Sequence, residues 1–364
     1  MYYARKHWIT KLHLDWPLFL GIIALASIGL IILYSAQPSM DVIERQGVRL
    51  CFASIVMLAV AQVPPRFFRQ ISPYLYFAAL LLLIAVLVMG EISKGGQRWL
   101  NLWIIRFQPA ELMKIAVPMM VAKYLEDVLL PPRIIKLLIP FILILLPVLM
   151  VAKQPDLGTA LLILSTGLLV LFFSGIAWQW VFSLMIVAGI SSPILWYFLH
   201  DYQRQRVLTF LDPERDPLGS GYQIIQSKIA IGSGGLYGKG WLNGTQSHLE
   251  FLPERTTDVI FAVFGEEFGL AGCLMLLILY LYIIIRCLYI GMQAQDSFCR
   301  LLAGSLAMTL FVYVFVNVGM VMGILPAVGI PLPLVSYGGT SLVTLMVSFG
   351  ILMSIHTHRT LLPK

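Results

Sequence analysis

Charged side chains are scarce in this sequence. Only 12% of the 364 residues are Asp, Glu, Lys or Arg, whereas 59% are hydrophobic. Because soluble domains carry about 25% charged residues, this composition excludes a soluble globular protein. Apolar runs of about 20 residues recur instead, long enough to cross roughly 30 Å of hydrocarbon as helices. The short alternating pattern of a membrane β-barrel is missing, so we predict an all-α polytopic membrane protein.

Disulfides and nucleotide-binding motifs are not expected either. The four cysteines are Cys51, Cys273, Cys287 and Cys299. They lie within predicted spans or near the inner face, so they form no extracellular disulfide framework. The stretch GSGGLYGKG, residues 232–240, is a poor phosphate-binding loop, because Ser233 and Gly240 break the P-loop pattern. A glycine-rich turn at an interface is the alternative, and an ATP-driven pump is disfavoured.

Ten membrane spans are predicted, within a single domain that covers residues 1–364. Their approximate bounds are 16–36, 47–63, 71–90, 108–125, 135–152, 157–173, 178–199, 259–285, 301–325 and 336–356. The seventh and eighth spans are separated by the one long polar segment, residues 200–258. Within it, Tyr222, Ile225 and Ile229 share a helical face, which predicts a short helix along the membrane surface.

The distribution of Lys and Arg orients these spans. With a cytoplasmic N-terminus, twelve cations lie inside: Arg5, Lys6, Lys11, Arg66, Arg69, Lys123, Arg133, Lys136, Arg286, Arg300, Arg359 and Lys364. Six lie in short outer loops: Arg45, Arg49, Lys94, Arg98, Arg106 and Lys153. This bias places both termini in the cytoplasm and the 200–258 loop outside. The net charge of +7 suits anionic headgroups, and no stripe for nucleic acid is evident.

Two charged residues interrupt the fourth span. Glu111 and Lys114 are three residues apart and share a helix face. An isolated charge at the bilayer centre costs about 2.5 to 3.5 kcal/mol on insertion scales, so each charge needs a partner or a function. The pair can be a structural ion pair. Alternatively, Lys114 faces a cavity and holds an anionic ligand.

Further polar residues mark the outer end of the spans. Gln154 and Asp156 precede the sixth span, where Asp156 can cap the helix or contact a ligand. Arg98 lies with Lys94, Arg106, Trp99 and Trp103 in an aromatic belt or a headgroup-binding strip.

The stretch FLPERTTDVIFAVFGEEFG carries Asp258 where the long loop meets the eighth span. Asp258 can cap this helix, with Thr256 and Thr257 as competitors, or act chemically at the water–lipid boundary. Glu266 and Glu267 follow eight and nine residues later, so they turn about 80° and 180° away from Asp258 and do not form one cluster with it.

The last motif precedes the tenth span. In GIPLPLVSYGGTS, Pro331 and Pro333 interrupt the backbone at membrane depth, which is tolerated only within protein or beside a cavity. We interpret it as one wall of a substrate cavity. Ser336 is either a ligand contact or the N-cap of the last helix.

Several motifs together identify a family resemblance. They are GGQRWL, FQPAELMKIA, QPDLGTA, YQRQRVLTFLDPERDPLGSGYQIIQSKIAIGSGGLYGKG, FLPERTTDVIFAVFGEEFG and GILPAVGIPLPLVSYGGTS. In this order, and over essentially the whole chain, they resemble the SEDS family of bacterial cell-wall polymerases. GKGWLNGTQSHLEFLPERTTD is more similar to the elongation member than to the division member. The family has ten membrane helices and a large outer loop between the seventh and eighth.

The resemblance implies polymerisation of lipid II in the bacterial inner membrane. Its essential acid ends the PER..TD motif, which is Asp258 here; many relatives have histidine where this chain has Thr256, so a His–Asp pair is not assumed. The implied partners are a class B penicillin-binding protein and other elongation-complex membrane proteins.

The chemistry fits these residues. Asp258 is the candidate general base for the attacking sugar hydroxyl, worth about 10² to 10⁴ in rate, and one direct displacement predicts inversion. The departing diphosphate needs positive charge from Lys114, Arg98 or Lys239, or from a divalent cation such as Mg or Mn. The remaining candidate substrate contacts are Glu111, Asp156, Gln154, Arg206 and Ser336.

Two other classes of function remain open. A lipid II flippase would also place charges inside a helical bundle, but it needs a polar path that reaches both faces. A scaffold for other wall proteins would not need Asp258. A further alternative is the division-specific paralogue of the same polymerase family.

Overall fold

The computed structural model describes residues 13–93, 96–101, 106–176, 201–215, 221–249 and 251–359, with isolated positions between 179 and 197. The chain is almost entirely helical, as predicted. Its helices are α1 (Trp16–Ala36), α2 (Met40–Ala61), α3 (Pro65–Met89), α4 (Pro109–Glu126), α5 (Ile134–Lys153), α6 (Leu157–Phe173), α7 (Asp201–Leu211), α8 (Tyr222–Gly234), α9 (Thr245–His248), α10 (Ile260–Met292), α11 (Ser297–Val321) and α12 (Thr340–Thr357).

Nine of the ten predicted spans coincide with one of these helices. The seventh, 178–199, lies mostly outside the described residues. The largest differences are at the starts of the second and third spans, where α2 begins at Met40 and α3 at Pro65, and at the end of the eighth, where α10 continues to Met292. Proline is favoured in the first turn of a helix because its missing N–H is not needed there. Both α2 and α3 begin with a polar first turn, so the apolar run used for the prediction starts later than the helix does.

Six helices in the described part of the chain are long and apolar enough to cross a membrane: α1, α3, α5, α10, α11 and α12. α6 is apolar but shorter. α4 is different, because Glu111, Lys114, Lys123 and Glu126 fall within its 18 residues. It packs against α3, α5, α6, α11 and α12, so neighbouring helices shield its charges from lipid. The chain is a multi-pass membrane protein, and the count of ten spans stays a prediction.

A small antiparallel sheet, which was not predicted, lies between α3 and α4, where the sequence predicted an aromatic belt or a headgroup-binding strip. Its strands are β1 (Glu91–Ser93), β2 (Gly96–Asn101) and β3 (Arg106–Phe107), in the order β1-β2-β3. β2 contacts both α3 and α4. The sheet therefore holds Arg98, which lies on β2, close to α4.

α10 is interrupted at Gly269, whose φ of 63° is non-helical. The glycine-rich loop, residues 235–240, fills this break with backbone hydrogen bonds. Leu270 N–H and Ala271 N–H donate to the Gly235 and Leu236 carbonyls at 2.9 and 3.0 Å. In return, the N–H groups of Lys239 and Gly240 donate to the carbonyls of Glu266 and Glu267 at 3.0 and 2.9 Å. The glycines thus serve a close backbone interface, as one of the two interpretations predicted.

The predicted surface helix exists as α8. Ile224, Ser227 and Ala230 are buried where α8 packs against α10, whereas Ile229 is exposed. The face formed by Tyr222, Ile225 and Ile229 is therefore not the one packed against α10, and its position along the membrane surface stays a prediction.

Candidate functional site

Asp258 lies just before α10 in the Asp258 segment, residues 256–258. Val259 occupies the N-cap position of α10, so neither Asp258 nor the two threonines is the capping residue. Three hydrogen bonds from elsewhere in the chain hold this segment. Tyr337 N–H donates to the Thr256 carbonyl at 2.8 Å, the Ser336 hydroxyl to the Thr257 carbonyl at 2.5 Å, and the Asn317 amide to the Asp258 carbonyl at 2.8 Å. Asp258 itself remains partly exposed.

The tail segment, residues 328–337, faces Asp258. Gly329 has a φ of 74°, and a Cβ atom built there would lie 3.5 Å from Asp258 Oδ2. The Asn317 amide also donates to the Ile330 carbonyl at 2.7 Å. Non-helical backbone at this depth is therefore held within protein, as the prolines predicted. Beside it lies a cavity of about 20 Å³, lined in part by Tyr313, Pro331 and Ser336, with room for one water molecule.

Ser336 fits neither predicted role closely. The last helix begins at Thr340 with Gly339 as its N-cap, so the capping interpretation of Ser336 was wrong. Its hydroxyl donates to the Thr257 carbonyl and accepts the Leu332 N–H at 2.8 Å. Ser336 therefore joins the tail segment to the Asp258 segment, and a role in contacting substrate stays a prediction.

Glu111 and Lys114 form the predicted ion pair, with Lys114 Nζ 2.6 Å from Glu111 Oε1. The two residues are only 4% and 5% exposed. Lys114 also donates to the Tyr313 hydroxyl at 2.8 Å, and Tyr313 borders the small cavity. Tyr313 lies one turn before Asn317 on α11, so the ion pair and the Asp258 segment contact the same face of that helix.

A second polar cluster surrounds Asp156. Its Oδ1 accepts the Thr159 N–H at 3.2 Å, which confirms that Asp156 caps α6. Its Oδ2 accepts from Gln108 at 3.0 Å and lies 3.7 Å from Arg98 Nε. Arg98 also donates to the Pro155 carbonyl at 2.6 Å, while its side chain stays 28% exposed.

The Asp156 cluster and Asp258 both lie beside the tail segment. A Cβ built on Gly158, two residues after Asp156, would lie 2.7 Å from the Val328 carbonyl. The next residue, Gly329, faces Asp258. The carboxylate of Asp258 and the guanidinium of Arg98 thus lie at the same end of the bundle.

The other predicted site residues are placed apart from Asp258 or are already paired. Lys239 Nζ lies 2.7 Å from Glu266 Oε1 and also donates to Thr245. Gln154 is buried, with its amide 3.4 Å from the Leu83 carbonyl. Arg206 is exposed on α7. Lys94, Trp103 and the side chain of Arg106 lie outside the described part of the structure.

Three residues of this site were not predicted from the sequence: Asn317, Tyr313 and Gln108. Asn317 is fully buried in an apolar helix, and a polar amide in such a helix is itself a signal of function. Tyr313 and Gln108 gave no comparable signal, because their partners are distant in sequence. Among the described residues, no group of three or more His, Cys, Asp or Glu converges on a metal site.

Comparison with known proteins identifies the family. The model of the FtsW, RodA and SpoVE family, described as cell cycle protein, matches residues 9–361, and the chain belongs to this family. It is 54% identical to the peptidoglycan glycosyltransferase MrdB of Escherichia coli K12, over 99% of this chain and 98% of that protein.

Two solved structures are similar. One, from work on the structural coordination of polymerization and crosslinking by a peptidoglycan synthase complex, has a TM-score of 0.83 and 34% identity, covering 94% of this chain and 97% of that one. The other, the rod shape determining protein RodA of Thermus thermophilus, has a TM-score of 0.72 and 28% identity, covering 94% and 96%.

Proposed function

We propose that this chain is a peptidoglycan glycosyltransferase that polymerises lipid II into glycan strands during cell elongation. The 54% identity to MrdB over nearly the whole chain supports the activity. The observation that carries the mechanism is the position of Asp258. Its backbone is held by hydrogen bonds from α11 and the tail segment, while the residue stays partly exposed.

In this proposal Asp258 is the general base. Its carboxylate accepts the proton of the attacking sugar hydroxyl as that oxygen bonds to the anomeric carbon of the second lipid II. The bond between this carbon and the diphosphate breaks, and undecaprenyl diphosphate leaves. A single displacement inverts the anomeric centre, by analogy with inverting glycosidases.

Arg98 is the best-supported partner for the departing diphosphate. Lys114 is buried against Glu111 and Tyr313, and Lys239 is paired with Glu266. Arg98 lies 3.7 Å from Asp156, a looser contact than the 2.6 and 2.7 Å ion pairs of the two lysines. Guanidinium groups also bind phosphate oxygens with several donors at once. A Mg or Mn ion is an alternative, since such ions are held by one or two carboxylates together with substrate phosphates. Asp258 or Asp156 would supply that carboxylate.

The further proposals concern the cellular setting. The chain lies in the inner membrane with both termini cytoplasmic and residues 200–258 outside, where a class B penicillin-binding protein and other elongation-complex proteins join it. A single cysteine at the exposed position Gln205, in an otherwise cysteine-free chain, should react with a membrane-impermeant maleimide in intact cells. Labelling only after the cells are opened would overturn this orientation.

Purified protein incubated with lipid II in detergent tests the activity. A polymerase makes glycan strands there, whereas a flippase makes none but moves labelled lipid II between leaflets of a vesicle. Strand synthesis supports the proposal. Lipid transfer without strands would overturn it in favour of transport.

A further inference from the structure

Asn317 joins three parts of the candidate site. It lies on α11, and its single amide nitrogen donates both protons to backbone carbonyls: to Asp258 at 2.8 Å and to Ile330 at 2.7 Å. The residue is 0% exposed. The two carbonyls belong to the Asp258 segment and the tail segment, which are 72 residues apart in sequence (330 − 258).

We infer that Asn317 is a positioning residue that sets the distance between the Asp258 carboxylate and the tail segment. This inference rests on the proposed function of Asp258. The hydrogen bonds from Tyr337 and Ser336 reach Thr256 and Thr257, two and one residues earlier. The hydrogen bond from Asn317 reaches the carbonyl of Asp258 itself.

The chemistry of this position favours an amide. The carbonyl oxygens of Asp258 and Ile330 each accept a hydrogen bond from α11, and a carboxamide supplies two N–H donors from one nitrogen. Aspartate has the same shape but, when ionised, offers only acceptors. Asn317→Asp would therefore set a carboxylate against two carbonyl oxygens, and the Asp258 segment would have to move.

Asn317 Oδ1 plays no comparable part. It is a buried acceptor with no hydrogen-bond partner among the described protein atoms. Leaving such an oxygen unpaired is costly, and the two hydrogen bonds that the amide nitrogen donates offset that cost. The orientation of the amide is determined by its two donor contacts.

The experiment compares kcat, KM for lipid II and the pH profile of kcat for Asn317→Asp and Asn317→Ala. The protein is purified together with its class B penicillin-binding partner. Because a displacement of about 1 Å can cost about 10²-fold, we expect kcat to fall by about that factor with KM nearly unchanged. We also expect the acid limb of the pH profile to shift, because the surroundings of the Asp258 carboxylate change.

Ser305→Ala is the matched control. Ser305 lies on the same helix, is fully buried, and donates to the Thr166 carbonyl at 2.7 Å, far from Asp258 in sequence. Like Asn317, Ser305 links α11 by a hydrogen bond to the backbone of another segment, here α6. We expect this variant to melt at a lower temperature than wild type while keeping kcat and the pH profile.

The possible outcomes distinguish a failure of this inference from a failure of the proposed function. If wild type makes no strands, the proposed function fails, and if Asp258→Asn makes them at the wild-type rate, the proposed role of Asp258 fails. If both behave as proposed but the folded Asn317 variants keep kcat and the pH profile, only the positioning role is overturned. If neither Asn317 variant folds while Ser305→Ala does, Asn317 is a folding residue and the inference is equally overturned.

Discussion

At the scale of single residues, buried polar groups of this bundle are paired, because an unpaired charge within the bilayer is costly. The Lys114–Glu111 pair was predicted from a three-residue spacing, because local helix geometry determines it. Its third member, Tyr313, comes from α11, and nothing in the local sequence indicated it. Likewise, Asp258 was found from its motif, whereas the amide that holds its carbonyl was not. Local spacing can be read from the sequence; contacts between distant segments cannot.

Replacing one member of the buried Glu111–Lys114 ion pair should destabilise the protein more than replacing both members. Lys114→Met leaves Glu111 as an uncompensated buried charge, so we expect a loss of about 3–5 kcal/mol in the free energy of unfolding. Glu111→Leu together with Lys114→Met should cost less than either change alone. Thermal unfolding in detergent measures this. Lys153→Met at the exposed end of α5 is the control, expected within about 0.5 kcal/mol of wild type. Additive losses in the double variant would contradict this account.

At the scale of elements, uniform apolar runs gave the helices most accurately. α1, α5 and α6 were predicted to within one residue at each end. The break in α10 was missed, because it depends on hydrogen bonds from a loop about 30 residues earlier in the chain. The sheet of β1, β2 and β3 was missed because two of its strands have only three and two residues.

The glycine-rich loop gives a sharp test of this break. Gly238 has a φ of 79°, and a Cβ there would lie 2.1 Å from the Glu267 carbonyl oxygen. Gly238→Ala should therefore destabilise the protein by about 1–3 kcal/mol. Gly232→Ala is the matched control, since Gly232 lies inside α8 with open space around its Cβ position and should gain about 0.5–1 kcal/mol. Equal melting temperatures for the two variants would mean that the loop and α10 do not pair.

At the scale of the whole molecule, a buried carboxylate joins the first, tenth and twelfth helices. Asp15 caps α1, and its oxygens lie 2.6 Å from Arg286 Nη2 and 2.8 Å from His356 Nδ1. This cluster was not predicted, because its members are at least 70 residues apart in sequence. These charges at the predicted inner end are already paired, so the cluster ties helices together rather than marking a path for a transported lipid.

This cluster predicts a dependence of stability on pH. Burial by itself would raise the pKa of Asp15, but hydrogen bonds from His356, Arg286 and Leu18 N–H hold it well below its ordinary value. A lowered carboxyl pKa stabilises the folded state above the unfolded-state pKa of about 3.9, and this contribution is lost as the pH falls below it. We expect Asp15→Asn to lower the melting temperature most at pH 6 and progressively less toward pH 3.

The control for this prediction is Asp41→Asn, at an exposed carboxylate in the first turn of α2. It should leave the melting temperature nearly unchanged across the same range. A deficit for Asp15→Asn that stays constant from pH 6 to pH 3 would contradict the proposed role of its charge.

The most direct test of the catalytic proposal is the initial rate of strand synthesis from lipid II by Asp258→Asn. Asp212→Asn, at an exposed aspartate in the same 200–258 segment, is the matched control. Because asparagine keeps the shape but cannot accept the proton, the account predicts a loss of about 10² to 10⁴ for Asp258→Asn, and a wild-type rate for the control. Strand synthesis at the wild-type rate by folded Asp258→Asn protein would contradict it.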